Sequence, residues 1–169
     1  MSTPAQMFDH ELNPIKGWPS PYALDKALNV KSGEPAIYAG SVVSIDPTTG
    51  ALRLGLIDNA MPLFAFQNSY DLDVVGDDGN LVGQGTSTPR INTLVAVGSY
   101  ELESTQFVAG SYAPNAQLTS PAPAAANAGL LTSGAFGTNT ICGIVSDGTL
   151  TNEFRKGVIR FWPVFLPHA

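Results

Sequence analysis

Charge is what this sequence has least of. Asp, Glu, Lys and Arg together make up 13% of its 169 residues, about half the roughly 25% usual in a globular chain. Fourteen are acidic and eight basic, for a net charge of −6. The basic ones form no run longer than Arg155-Lys156. Neutralising phosphates takes a basic stripe, so no nucleic-acid partner is expected. Cysteine is nearly absent: Cys142 is the only one, which rules out an internal disulfide. It sits in the apolar run "TICGIV" and reads as a buried, inert thiol. The two histidines, His10 and His168, stand near opposite ends of the sequence. With no His-x-x-x-His or Cys-x-x-Cys spacing, no metal and no cofactor are expected. No apolar run approaches the roughly 20 residues of a membrane helix, so no membrane partner is expected. The opening "MSTPAQMFDHELNP" has neither a basic start nor an apolar centre and does not read as a secretory signal. The expectation is a protein made in a reducing cytoplasm.

What the sequence does have is β patterning. Apolar residues reach 44%, enough for one domain with its own core. The stretch "AIYAGSVVSIDPTTGALRLG" at 36–55 alternates, turns and alternates again. Asp46-Pro47-Thr48-Thr49-Gly50 is turn chemistry: Asp bonds the backbone just after it, Pro presets φ, and Gly takes the left-handed position. Short strands recur beyond it in "MPLFAFQNSYDLDVV", "INTLVAV", "SYELEST", "ICGIVSDG" and "GVIRFWPVFLP", with Gly-rich punctuation between them. In "SYELEST", Tyr100 and Leu102 face one way and Glu101 and Glu103 the other. The segment 112–140 reads as loop, with room for one helical turn at Ala124–Ala126. The expected fold class is all-β, a small β-barrel or sandwich (β-tulip-like) with an extended N-terminal arm.

The boundary falls at Pro35. Residues 1–35 hold five prolines and few β-branched residues, so they are expected to form an extended arm, and 36–169 the barrel-like domain. The arm still carries apolar anchors, among them Phe8, Leu12, Ile15, Trp18 and Tyr22. Spaced anchors on a stiffened chain suit a segment that lies along a surface, either a partner's or its own domain's. Near the other end, "FWPVFLP" clusters Phe161, Trp162 and Phe165. Alternation buries one side of such a strand and leaves the other for contact, so Trp162 joins the five arm residues as a candidate partner contact. The low charged fraction points the same way, toward a surface partly covered in an assembly.

No residue set reads as catalytic. In "DLDVVGDDGN" the aspartates suggest a calcium loop, but Val75 stands where a ligand is needed and Val82 where the closing Glu belongs. "GQGTSTP" lacks the Lys-Ser/Thr ending of a phosphate loop. Glu101 and Glu103 have a spacing of about 7 Å, possible for paired glycosidase carboxylates, but they read as solvent-facing strand charges. The serines and threonines lack a Gly-x-Ser-x-Gly motif and a placed His.

Four stretches carry a family resemblance: "GEPAIYAGSVVSIDPTTGALRLG", "YAPNAQLTSPAPAAANAGLLTSG", "ICGIVSDG" and "GVIRFWPVFLP". Their order resembles the decoration (cement) proteins of tailed-bacteriophage heads. The resemblance implies a non-enzymatic virion protein on the outer surface of an expanded capsid, assembled in the host bacterial cytoplasm. It implies the major capsid protein as partner and self-association as a homotrimer, with a dimer as the alternative. The shorter lambda-type members lack an arm like residues 1–35. The rival expectation is a receptor- or carbohydrate-binding β-module, such as a head fibre or adhesin domain, which needs exposed aromatic platforms and a groove.

Overall fold

A computed structural model describes residues 12–16, 28–66, 69, 90–91, 93–95, 100–152 and 155–168. The described elements are β1 (Leu12–Lys16), β2 (Leu28–Asn29), β3 (Val42–Ile45), β4 (Leu52–Leu54), β5 (Leu63–Ala65) and β6 (Arg90–Ile91). They continue with β7 (Thr93–Val95), β8 (Glu101–Ser104), β9 (Gln117–Thr119), β10 (Thr132–Ser133), β11 (Ile141–Asn152) and β12 (Arg155–Leu166). A six-stranded sheet runs β1-β8-β12-β11-β9-β10, a four-stranded sheet β4-β3-β5-β7, and β2 pairs with β6. Every pairing of these strands is antiparallel.

The all-β character stands, but the closed barrel does not. The six-stranded sheet ends at β1 and β10 and the four-stranded sheet at β4 and β7. A barrel forms only when the two edges of one sheet pair, and among the described strands they do not. These edges are managed by other means. β10 is two residues long and β1 carries Pro14, which has no backbone donor to offer a further strand. Beyond β4, the segment 121–130 docks alongside: Leu56 N donates to Pro121 O at 3.0 Å and Val42 N to Gly129 O at 2.8 Å.

The main core lies where the two large sheets meet. Val42 and Phe64 from the four-stranded sheet join Leu102, Leu118, Val145, Ile159 and Phe161 from the six-stranded one. Phe64 and Phe161 set their ring centroids 5.3 Å apart. The opposite face of the four-stranded sheet is also covered. Val43, Leu63 and Ala65 pack there with Val30 and Ile37. Burial on both faces explains why β5 reads "LFA" without a polar alternation.

The 46–50 turn is built as its residues dictate. Asp46 Oδ1 accepts from Thr48 N at 2.8 Å and Thr49 N at 3.2 Å, and Gly50 has φ 69°. The strand before it is shorter than the alternation predicts, because Ser41 N turns back to Tyr38 O. β11 is longer than predicted. It runs through "SDG", and a register shift between Val145 and Thr149 absorbs the intervening residues. The segment 121–130 is a succession of turns (Ala125 N to Ala122 O, Ala128 N to Ala125 O, Leu130 N to Asn127 O) rather than a helix.

The described parts of residues 1–35 lie on the chain's own sheets. β1 pairs with β8, and Leu12 is buried with Leu102 and Phe161. Lys31 N donates to Leu52 O at 2.9 Å, and Glu34 binds both Arg53 Nε at 2.8 Å and Leu54 N at 3.1 Å. Lys31 Nζ reaches Asp46 Oδ2 at 2.6 Å. That ammonium, aided by the Thr48 amide, holds the Asp46 carboxyl at about 2, below its ordinary 3.8. The folded value lies below the unfolded one, so this stabilisation is complete above 3.8 and is lost as pH falls toward 2. Asp46→Asn is therefore expected to destabilise at neutral pH, with the gap from the parent closing between about pH 4 and pH 2 in urea titrations. A gap that stayed constant with pH would remove the Lys31–Asp46 pair from the account.

Candidate functional site

The strand β12 sorts its aromatic side chains by alternation. Phe161 is wholly buried, whereas Trp162 is 43% exposed on the opposite face of the six-stranded sheet. Beside Trp162, across the ladder to β11, stands Ile144. Arg160 shares this outer face. Its Nε donates to Glu103 Oε2 at 3.0 Å, and a terminal nitrogen lies 3.6 Å from Asp147 Oδ2. Glu101, on the same face, accepts from Ser146 Oγ. The expectation that Glu101 and Glu103 face solvent is corrected: they are only 4% and 5% exposed. Partners from β11 and β12 engage both carboxylates, which is what allows them to be covered. The outer face thus combines an exposed Trp with a fixed Arg, two residue types enriched among interface hot spots.

Of the other expected contact residues, Ile15 lies in the β1 bulge and is 38% exposed. Leu12 instead belongs to the core, which uses it for folding. Phe8, Trp18 and Tyr22 lie outside the described residues, as do the aspartates of "DLDVVGDDGN" and the run "GQGTSTP". Cys142 is wholly buried beside Leu118 O, and burial pushes its thiol up to about 12.

A second feature lies at the β9–β10 end of the sheet, where sequence reasoning placed nothing. A cleft of about 540 Å³ opens between residues 56–58, the 132–140 segment and His168. His168 Nε2 meets Asp58 Oδ2 at 2.6 Å, and His168 N donates to Asn59 Oδ1 at 2.9 Å. The imidazole holds the Asp58 carboxyl below the usual range. Thr140 Oγ1 donates to Asp58 Oδ1 at 3.2 Å and accepts from Asn59 N at 2.9 Å. The carboxylate therefore sits between hydroxyl and imidazole. A nucleophilic triad needs the imidazole in the middle, where it can take the hydroxyl proton. The order of the three side chains is therefore not that of a Ser-His-Asp relay.

Phe136, whose amide donates to Gln117 Oε1 on the outer face of the six-stranded sheet, is 60% exposed, the most exposed of the large apolar residues described. A lone aromatic between Gly134 and Gly137, in a stretch of small polar residues, was the available signal. No group of three or more His, Cys, Asp or Glu side chains placed to hold a metal occurs among the described residues. No protein-family model, curated protein or solved structure matches this chain.

Proposed function

We propose that this protein is a structural component of a phage virion. It decorates the outer surface of the expanded capsid, bridges capsomers of the major capsid protein, and does so without catalysis. Its working form in this reading is a homotrimer, assembled in the host cytoplasm. The reading is carried by Trp162, a large apolar side chain held outward on the longest hairpin while its neighbour Phe161 anchors the same strand in the core. A cement protein needs such anchors on a stiff support, because a contact surface that is already ordered loses little entropy on docking. The four stretches that resemble decoration proteins supply the kind of partner.

Capsid binding tests it. Covering the exposed part of Trp162 is worth on the order of 1–2 kcal/mol, so Trp162→Ala is expected to weaken decoration about five- to thirtyfold per site. Multivalent docking would enlarge the loss. The measurement is a titration of expanded, undecorated capsids of the encoding phage, with Ile45→Ala, an exposed residue of the four-stranded sheet, as the surface control. Deleting residues 2–20 is a poor test, because it strips Leu12 from the core and β1 from its sheet. Failure of the parent protein to bind such capsids would overturn the reading. Equal binding by parent and Trp162→Ala would remove this face from it.

A further inference from the structure

The β11–β12 hairpin breaks its ladder in the stretch beside Arg160. Val145 pairs with Phe161 and Thr149 with Ile159, so Ser146, Asp147 and Gly148 of β11 stand opposite the single residue Arg160 of β12. One residue offers one carbonyl to a neighbouring strand, so the three amides of β11 cannot all be held across this ladder. Gly148 has no pairing partner in the hairpin register. Among the described residues, bonding on the other side of β11 reaches Val145, which accepts from Asn115 N at 2.8 Å and donates to Ala116 O at 2.9 Å.

The break coincides with the dipeptide Asp147-Gly148. An aspartyl side chain can close on the amide that follows it. Gly148 N bonds to Asp147 Cγ, a five-membered succinimide forms, and the side-chain hydroxyl leaves with the amide proton as water. Glycine has no Cβ to hinder that closure. Water then reopens the ring. Addition at Cγ restores aspartate. Addition at the main-chain carbonyl carbon breaks its bond to Gly148 N and leaves the chain running through Cβ and Cγ, an isoaspartyl link. One water leaves and one returns, with no oxidation or reduction.

The described aspartates differ in what opposes this reaction. Asp46 is followed by Pro47, which has no amide hydrogen to lose, and its Oδ1 is bound by Thr48 N and Thr49 N. Asp58 is followed by Asn59, whose amide donates to Thr140 Oγ1 at 2.9 Å, and its carboxylate is held by His168 and Thr140. Asp147 is 64% exposed at its side chain, and the Arg160 nitrogen 3.6 Å away is too far for a hydrogen bond. Its carboxyl is therefore not locked away from the backbone. We propose that Asp147 is a site of spontaneous isoaspartate formation in the folded protein, set by the three-against-one break in the β11–β12 ladder. The change lengthens the β11 main chain by a methylene beside Arg160 and leaves the carboxylate directly on Cα. It concerns this chain alone and is independent of the capsid-binding reading.

The experiment incubates the full chain for several weeks at mildly acidic pH in water carrying heavy oxygen, with a urea-unfolded sample beside it. Peptide mapping then locates isoaspartate and incorporated label. In the folded protein Asp147 is expected to convert within about tenfold of its unfolded rate, a barrier difference under roughly 1.4 kcal/mol, while Asp46 and Asp58 stay unlabelled. The unfolded fraction of a stable domain is on the order of 10⁻³ or less, so conversion at that rate belongs to the folded chain. Gly148→Ala is expected to slow it about tenfold or more and Asp147→Glu to stop it, with circular dichroism checking the fold. Asp147→Asn reaches the same ring by losing ammonia, keeps the side-chain shape, and is expected to convert faster than the parent. Folding that slows conversion of Asp147 beyond that tenfold would overturn the proposal. Label at Asp58 equal to that at Asp147, or a rate that Gly148→Ala leaves unchanged, would overturn it equally.

Discussion

Phe161→Ala is expected to lower the free energy of unfolding by about 3–5 kcal/mol, the usual cost of removing a buried aromatic ring and leaving its cavity. Phe161 is wholly buried, packs its ring on Phe64, and sits on the strand that joins β8 to β11. Its surroundings cannot collapse easily into the gap. Diagonally across the ladder is Gly143, two residues before the Val145 that pairs with Phe161, where even a Cβ would come within 2.8 Å of the Phe161 ring. A domain has about 5–15 kcal/mol in all, and this one substitution removes a large share of it. Trp162→Ala, one residue along, is expected to cost less than about 1.5 kcal/mol because its side chain is already half in water. Urea unfolding of the two variants compares the faces directly. Equal losses would mean that the ring contact with Phe64 is not central to the core. Phe64→Ala combined with Phe161→Ala should cost less than the sum of the single changes, since the two rings share one space.

Gly55→Ala is expected to cost roughly 2–4 kcal/mol, an unusual amount for one added methyl group. Two effects coincide there. The backbone has φ 106°, a region that L side chains rarely adopt. The new Cβ would also lie 2.6 Å from Pro121 O and 3.0 Å from backbone atoms of Ala122 and Pro123. Main-chain atoms cannot swing aside as a flexible side chain can. The 121–130 segment would have to lift away, taking with it the bond from Leu56 N to Pro121 O. Gly50→Ala is the matched control. Its φ of 69° is also left-handed, but nothing stands within 4 Å of the added Cβ. It should cost only the conformational part, about 1 kcal/mol. If both substitutions shift the urea midpoint alike, the close approach of 121–123 to Gly55 contributes nothing to stability.

Part of this architecture was legible because it follows local rules. The turn at 46–50 formed as its Asp and Gly required. The period of two in 100–103 put Leu102 inside and Glu103 on the other face, and the same period separated Phe161 from Trp162. The apolar surroundings of Cys142 in the sequence matched its burial. In the candidate contact face, Trp162 was found from alternation alone. Arg160 and its carboxylate partners were not, since a charged side chain on a strand reads as solvated until a neighbouring strand is seen beside it.

The sequence by itself determined strand character, turn positions and which side of each strand is apolar, because these depend on residues within a few positions of one another. Only the tertiary structure decided whether the sheets close, and they stay open because, among the described strands, no two edges of one sheet meet. It placed Leu12 in the core through β8, nearly ninety positions away in the chain. It covered Glu101 with Ser146 and Glu103 with Arg160, pairs separated by 45 and 57 residues. It also joined Asp58 to His168 across 110 residues to wall the hydroxyl-lined cleft. Contacts at such separations leave no periodic trace in the chain. They are chosen by which strand edges pair and which faces remain to be covered after local structure has formed.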